Sequence, residues 1–383
     1  MRDVVDLAAS EPPPLRHTVD EIVQRGQRLR RRRRAGWAAS GAAVVAVLGV
    51  TAAVAMPSLA GRQPTVLAGS PVAGSSAAGD TAQTFARPAQ AFMFTFGGYR
   101  VGKLRVAQPI DVSTAYQIAP VYDDTLASND KPVDPSQISS VETQHVRPPS
   151  LYAYLTFFQP GAYDPTKLRN PQHVTIAGRP GLQTIGSGAG GGVNLITLAW
   201  QYGPNGWAVL TSSSTEANDP TATQLQQLAA GLRPAAPTPA RVPFTMTYVP
   251  SGYSVDEVAM HAMAGLNGIA AAEDGDYAGL LFSKPALPTA GLTEPFGGVD
   301  GNDPPGSFQI FVTPAANSNQ QASPGITCEN GFCNRWADGG SVDLQVASGG
   351  RLSDGEMTKI LTGITLGNVH DENTWTVATT AIP

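Results

Sequence analysis

Charge is what this 383-residue chain has least of. Asp, Glu, Lys and Arg together make up 14% of it, against about a quarter in an ordinary soluble domain. The little charge there is divides unevenly. Residues 1–34 carry net +4 and the remainder carries net −9. A nucleic-acid binder needs a basic surface to displace counterions from phosphates, so the acidic bulk excludes that class. Histidine is equally sparse. His17, His145, His173, His261 and His370 are scattered, with no two at metal-ligand spacing. Residues 1–34 hold one of these and no cysteine, which excludes a zinc-binding anti-sigma motif there. No G-x-S-x-G elbow occurs, and no Ser, His and Asp set stands out. No catalytic residue, cofactor or metal ligand is assigned.

The chain has two cysteines, Cys328 and Cys333, in the run CENGFC. The spacing is not C-x-x-C. Asn-Gly at the centre suits a turn that brings two strand ends together, and outside the cytoplasm such a pair is oxidised. A structural disulfide is expected. Two acidic stretches, Glu273-Asp274-Gly275-Asp276 and Asp300-Gly301-Asn302-Asp303, lack the full calcium-loop pattern and read as solvated turns.

Glycine and proline, by contrast, are abundant, at 41 and 32 residues, and they favour turns and joints over long helices. Near the start, Arg30, Arg31, Arg32, Arg33 and Arg34 run into an uncharged stretch, Ala35 to Gly61. An apolar core of about twenty residues is long enough to span a bilayer. Basic residues stay on the cytoplasmic side, so the expected arrangement is N-terminus inside and the remainder outside. The length of the segment before the core favours an uncleaved signal anchor over a cleaved signal peptide, although Ala53-Val54-Ala55 and Ser58-Leu59-Ala60 resemble cleavage sites.

Beyond a Gly/Ala/Ser/Pro-rich linker the chain repeats a pattern. AFMFTFGGYRVGKLRVA from Ala91 parallels PFTMTYVPSGYSVDEVAM from Pro243. LYAYLTFF parallels SFQIFVTP, and VTIAGRPGLQTI parallels GITCENGFCNRW. Each copy closes on an amphipathic run, with Leu225, Leu228, Ala229 and Leu232 in one and Met357, Ile360, Leu361 and Ile364 in the other. A helix with one apolar face covers a sheet face. The expected fold class is therefore α+β, with one N-terminal transmembrane helix and two tandem antiparallel units, each packed with a C-terminal helix. The expected division is 1–34 cytoplasmic tail, 35–60 transmembrane helix, 61–90 linker, 91–233 first unit, 234–242 proline-rich linker and 243–383 second unit with its tail.

Gly186, Gly188 and Gly191 form a G-x-G-x-x-G match. A dinucleotide loop needs a strand before it and a helix after it, whose N-terminus holds the pyrophosphate. Strand-like residues flank this match on both sides, so it reads as a hairpin loop.

The pattern V-T-I-A-G-R-P-G, then L-A-W…G-W-A-V-L, then T-x-x-Q-L-x-x-L-A, over Val174 to Leu232, resembles an uncharacterised extracytoplasmic domain of tethered Gram-positive membrane proteins. The second copy departs from it, lacking the Trp hairpin and carrying cysteines. Pro14-Leu15-Arg16, Val19-Asp20, Val23 and Arg25-Gly26, leading into the arginines, are similar to the start of actinobacterial single-pass proteins, some associated with alternative sigma factors. The resemblance implies no enzymatic activity. The leading expectation is a non-enzymatic, membrane-anchored extracytoplasmic binding or sensory protein. Its partners would be the membrane, an envelope ligand or protein, and a cytoplasmic protein at the tail, with no nucleic acid. An anchored envelope hydrolase and a sigma-factor regulator without a zinc motif stand as alternatives.

Overall fold

The structure is a computed structural model. It describes residue 85 and residues 90–123, 151–187, 194–212, 221–266, 276–296, 304–318 and 320–383. The arginine cluster, the expected span at 35–60 and the linker at 61–84 lie outside the described residues.

The first half of the described chain runs β1 (Met93–Phe96), β2 (Tyr99–Val101), β3 (Leu104–Val106), β4 (Asp111–Ser113), β5 (Tyr116–Asp123), β6 (Leu151–Phe158), β7 (Gln172–Ile176), β8 (Arg179–Ser187), β9 (Asn194–Gly203), β10 (Gly206–Ser212) and α1 (Ala222–Ala230). A strap follows, made of β11 (Pro234–Pro239), β12 (Arg241–Val242) and β13 (Phe244–Met246). The second half runs β14 (Ser254–Met260), β15 (Ala278–Ser283), β16 (Ser307–Pro314), β17 (Ile326–Glu329), β18 (Phe332–Ala337), β19 (Val342–Ala347), α2 (Asp354–Gly363), β20 (Ile364–Leu366), β21 (Thr376–Val377) and the one-turn α3 (Ala378–Ala381).

Fifteen of these strands form one sheet. Its order is β17-β18-β19-β16-β15-β14-β4-β5-β6-β10-β9-β8-β7, with the β2–β3 hairpin added through β3 on β5. Each half is a set of antiparallel hairpins, and the first half carries one edge strand more along this order, besides the β2–β3 hairpin. They join at a single seam, where β4 pairs β14 in the register Asp111↔Ala259, Val112↔Val258 and Ser113↔Glu257.

The α+β expectation, with a transmembrane helix and two helix-backed units, is overturned. Strands dominate the described residues, and the two longer described helices have nine and ten residues. At 1.5 Å per residue each spans about 15 Å, too little to cover a half-sheet. Among the described residues no helix is long and apolar enough to cross a membrane.

Both helices do begin at sequence-readable caps. Thr221 with Gln224, and Ser353 with Glu356, form reciprocal capping boxes. Leu225, Leu228 and Ala229 face one core with Leu155, Leu198 and Leu210. Met357, Ile360 and Leu361 face a second with Leu280, Ile310 and Leu344. Strands cover what the helices leave. The proline-rich segment expected as a joint is paired: β11 lies antiparallel to β1, β12 to β21 and β13 to β20. Proline is tolerated there because a two-stranded ribbon leaves one edge of β11 without a ladder.

The opposite face of the sheet carries a third core at its centre, around Tyr116, Ile118, Tyr154, Phe158 and Leu281. Two loop segments, 262–266 and 287–296, roof it, contributing Ala262, Ala264, Leu266, Leu292 and Phe296. The roof lies close because β15 has no side chain at Gly279. A Cβ there would sit 2.5 Å from the Ala264 amide nitrogen and 2.7 Å from the Met263 Cα. Gly279→Val is therefore expected to destabilise the fold by ~1–3 kcal/mol through overpacking. Gly203→Ala, where a Cβ meets nothing within 4 Å, should stay within ~0.5 kcal/mol. Urea unfolding of the two variants distinguishes the effects.

Candidate functional site

Cys328 and Cys333 face each other across the β17–β18 hairpin and are joined as a disulfide with 4.1 Å between Cα atoms. Asn330 and Gly331 turn the chain with φ of 55° and 77°, the double left-handed turn that Asn-Gly favours. The bridge packs on α2, with Cys328 Sγ 3.7 Å from Thr358 Oγ1. The sulfurs lie near Asp354, but in the bonded form they do not act as thiolate ligands.

Gly186 sits in β8, whereas Gly188 and Gly191 lie outside the described residues. The flanking strands β8 and β9 pair antiparallel up to Ser187↔Asn194, so a strand follows where a dinucleotide loop has a helix. Of the acidic stretches, only Asp276 is described, and its Oδ1 accepts from Asn317 Nδ2 at 3.0 Å. His261 stacks on Trp375 with 4.9 Å between ring centroids and sits 3.1 Å from Glu372. His370 meets Tyr277 edge-on. The fold does not gather the described histidines.

Two features emerge instead. The first is an open groove of about 510 Å³ along residues 247–255, closed by Phe282, Ile382 and Pro383. Its aromatic support is fixed. Phe282 stacks on Phe308 at 4.8 Å, and Tyr253 meets Phe308 edge-on at 5.0 Å. Two exposed lysines flank it. The Lys359 ammonium lies 3.7 Å over the Tyr248 ring, and Lys284 Nζ donates to the Ser251 carbonyl at 2.9 Å. Neither forms an ion pair among the described residues.

The second is a pair of carboxyls at the seam. Asp111 on β4 and Glu257 on β14 are both fully buried. They sit diagonally across the register, on the roofed face of the sheet. Asp111 Oδ2 accepts from the Gly265 amide at 2.8 Å. Glu257 Oε1 accepts from the Tyr116 hydroxyl at 2.8 Å, and that oxygen accepts from the Phe296 amide at 2.8 Å. Both amides belong to the roof. The remaining oxygens, Asp111 Oδ1 and Glu257 Oε2, have no hydrogen-bond partner among the described residues, and the two carboxyls lie close enough to act on each other.

Two carboxylates this close in a buried site, with no described cationic side chain beside them, cannot both be ionised. Burial pushes the Asp111 carboxyl up to about 7. Burial, and then the charge of Asp111, raise Glu257 well above the carboxylate range. A third carboxyl, Asp256, occupies a bulge between Val255 and Glu257 and is raised by burial. It accepts from the Leu287 amide at 3.1 Å and bonds the Ser283 hydroxyl. A small cavity of about 40 Å³ lies under the same roof, over β6 and β10, lined by Tyr154, Phe158, Val209, Leu266 and Glu294 among others. It has room for a water or two but not for an organic ligand.

Sequence reasoning missed this pair. Tyr116 and Glu257 are 141 residues apart, and only the seam register brings them together. The available local signal was Asp256-Glu257 inside an apolar strand, since adjacent strand residues point to opposite faces and one carboxyl must turn inward.

No protein-family model matches the chain, and no curated protein matches it. Solved structures are similar to it, two of them as follows. The crystal structure of MucB in complex with MucA(peri) is 10% identical, covering 72% of this chain and 93% of that one, with a TM-score of 0.19. The complex structure of Pseudomonas aeruginosa MucA/MucB is 12% identical over the same shares, also at 0.19. A TM-score of 0.19 is too low for either likeness to bear on the fold or role of this chain.

Folded-state carboxyl values above the unfolded ones mean that the native chain holds protons the unfolded chain has released. The resulting stability is complete near pH 4 and is lost as pH rises toward and through 7. The wild-type melting temperature should fall between pH 5 and pH 8, by the equivalent of ~3 kcal/mol for the proton retained by Asp111. Glu257→Gln keeps the Tyr116 bond and offers Asp111 an amide donor. It should flatten that fall and exceed the wild type at pH 8. Cys328→Ser with Cys333→Ser should cost ~2 kcal/mol in urea, the loop-closure value for so short a ring.

Proposed function

We propose that this is an extracytoplasmic binding protein whose ligand surface is the groove along residues 247–255. The groove's volume carries the reading. At about 510 Å³ it falls within the ~300–1,000 Å³ typical of small-ligand sites. Its floor is apolar and aromatic, and its flanks bear the ammoniums of Lys359 and Lys284. An apolar trough between cations fits an amphipathic ligand with an alkyl body and an anionic head. The disulfide supports an oxidising compartment, since such bonds persist outside the cytosol.

Calorimetric titration of the full chain with sodium laurate and with dodecyl maltoside, both below micelle formation, tests the reading. Laurate should bind at least tenfold more tightly than the neutral detergent. Tyr253→Ala should weaken both, and Lys359→Glu should erase the preference for the anion. Absence of laurate binding, or a Lys359→Glu variant with unchanged preference, would contradict it.

A further inference from the structure

Roof and seam are tied by the same groups. Each of the two roof segments supplies one backbone amide that reaches the acid pair, Gly265 directly to Asp111 and Phe296 through Tyr116 to Glu257. Elsewhere the roof is held by the Leu287 amide on Asp256, by exchange of backbone bonds between Leu292, Ala162 and Asp164, and by Lys167 Nζ on the Gly291 carbonyl at 3.0 Å. Beneath it lies a sheet face rich in aromatic side chains, Tyr116, Tyr154 and Phe158, with Tyr163 from the loop after β6 packed beside them.

The geometry points to a proton-held latch: a proton shared by Asp111 and Glu257 keeps the 262–266 and 287–296 segments closed over the central sheet face, and its loss lifts them. With a proton between Asp111 Oδ1 and Glu257 Oε2, each remaining oxygen is free to accept a roof-linked bond. Without it, two negative charges meet in a dry site and repel. The least costly relief is water entry through the roof, because the alternative is to part β4 from β14, the seam that joins the halves.

The elements packed around the pair and its roof carry several other titratable or charged groups. They are Tyr116 on β5, Asp256 in the β14 bulge, Glu294 in the roof, and Tyr163, Asp164 and Lys167 on the loop below it. Asp256 adds to the repulsion of an ionised Glu257. Lys167 turns outward to Asp164 and Gly291. His261, where the roof leaves β14, turns to Glu372. No described cation neutralises the pair.

Raised values in the closed state set the sign. The open state, where water reaches the carboxyls, releases protons from about pH 4–5, and the closed state retains them to about pH 7 and beyond. Closure is therefore most favoured in mild acid. The opening constant should climb up to about tenfold per pH unit for each retained proton.

Hydrogen exchange of the full chain, corrected for the intrinsic pH dependence of amide exchange, tests this at pH 5, 6.5 and 8. The latch requires protection in peptides covering 262–266 and 287–296 to fall at least tenfold across that range, while α1 and α2 peptides change less. Glu257→Gln, or Asp111→Asn if the first variant does not fold, should hold the roof protected at all three values. Roof protection independent of pH in the wild type would overturn the latch. So would a pH response that survives in the neutralised variant, or a loss spread equally over both helices.

Discussion

Two carboxyl groups share a fully buried site with no described cationic side chain beside them, and they do so where the sheet is joined. The seam between β4 and β14 is three residue pairs long. It carries Asp111 and Glu257 on one face and Val112 and Val258 on the other. The apolar face needs no explanation beyond burial. The polar face works only if a proton stays, because an ionised carboxylate loses several kcal/mol of hydration on entering a dry interior. The continuity of the sheet, the closure of the roof and the acid preference of the fold all follow from that proton.

The groove obeys different physics. Its floor is the reverse side of the sheet from the acid pair, built on the stacked Phe282 and Phe308, and its cations sit at the rim in water. An exposed ammonium contributes little to stability, which leaves Lys359 and Lys284 available for recognition. The buried carboxyls set whether the central face is covered, and the exposed amines set what the groove attracts. The acid pair straddles the seam and the groove lies in the second half, and the two features do not share residues.

Legibility from sequence tracked the range of the interaction. The Asn330-Gly331 turn with its flanking cysteines, the Thr221 and Ser353 caps and the apolar stripes of α1 and α2 are all decided within about ten residues, and each can be read along the chain. The succession of hairpins ending in a helix was visible twice over. The fold class was misjudged because two amphipathic runs suggested helical layers, when each helix covers only part of its half-sheet and, in the second half, paired strands of the strap pack on the same core. Pro234, Pro237 and Pro239 read as a flexible joint because proline breaks ladders. Here they lie in β11, in a ribbon with β1 alone. The acid pair, the roof and the merging of two hairpin sets depend on pairing between residues more than a hundred positions apart, for which a single sequence carries no periodic signal.

The retained proton is open to direct observation. Infrared spectra of the wild-type chain at pH 6.5, compared with Glu257→Gln and Asp111→Asn, report the carbonyl stretch of a protonated, buried carboxylic acid apart from ionised carboxylates. A protonated-acid band in the wild type that disappears in Glu257→Gln is the predicted result. A wild-type spectrum at pH 6.5 with all carboxyls ionised, or a band unaffected by either substitution, would contradict the account.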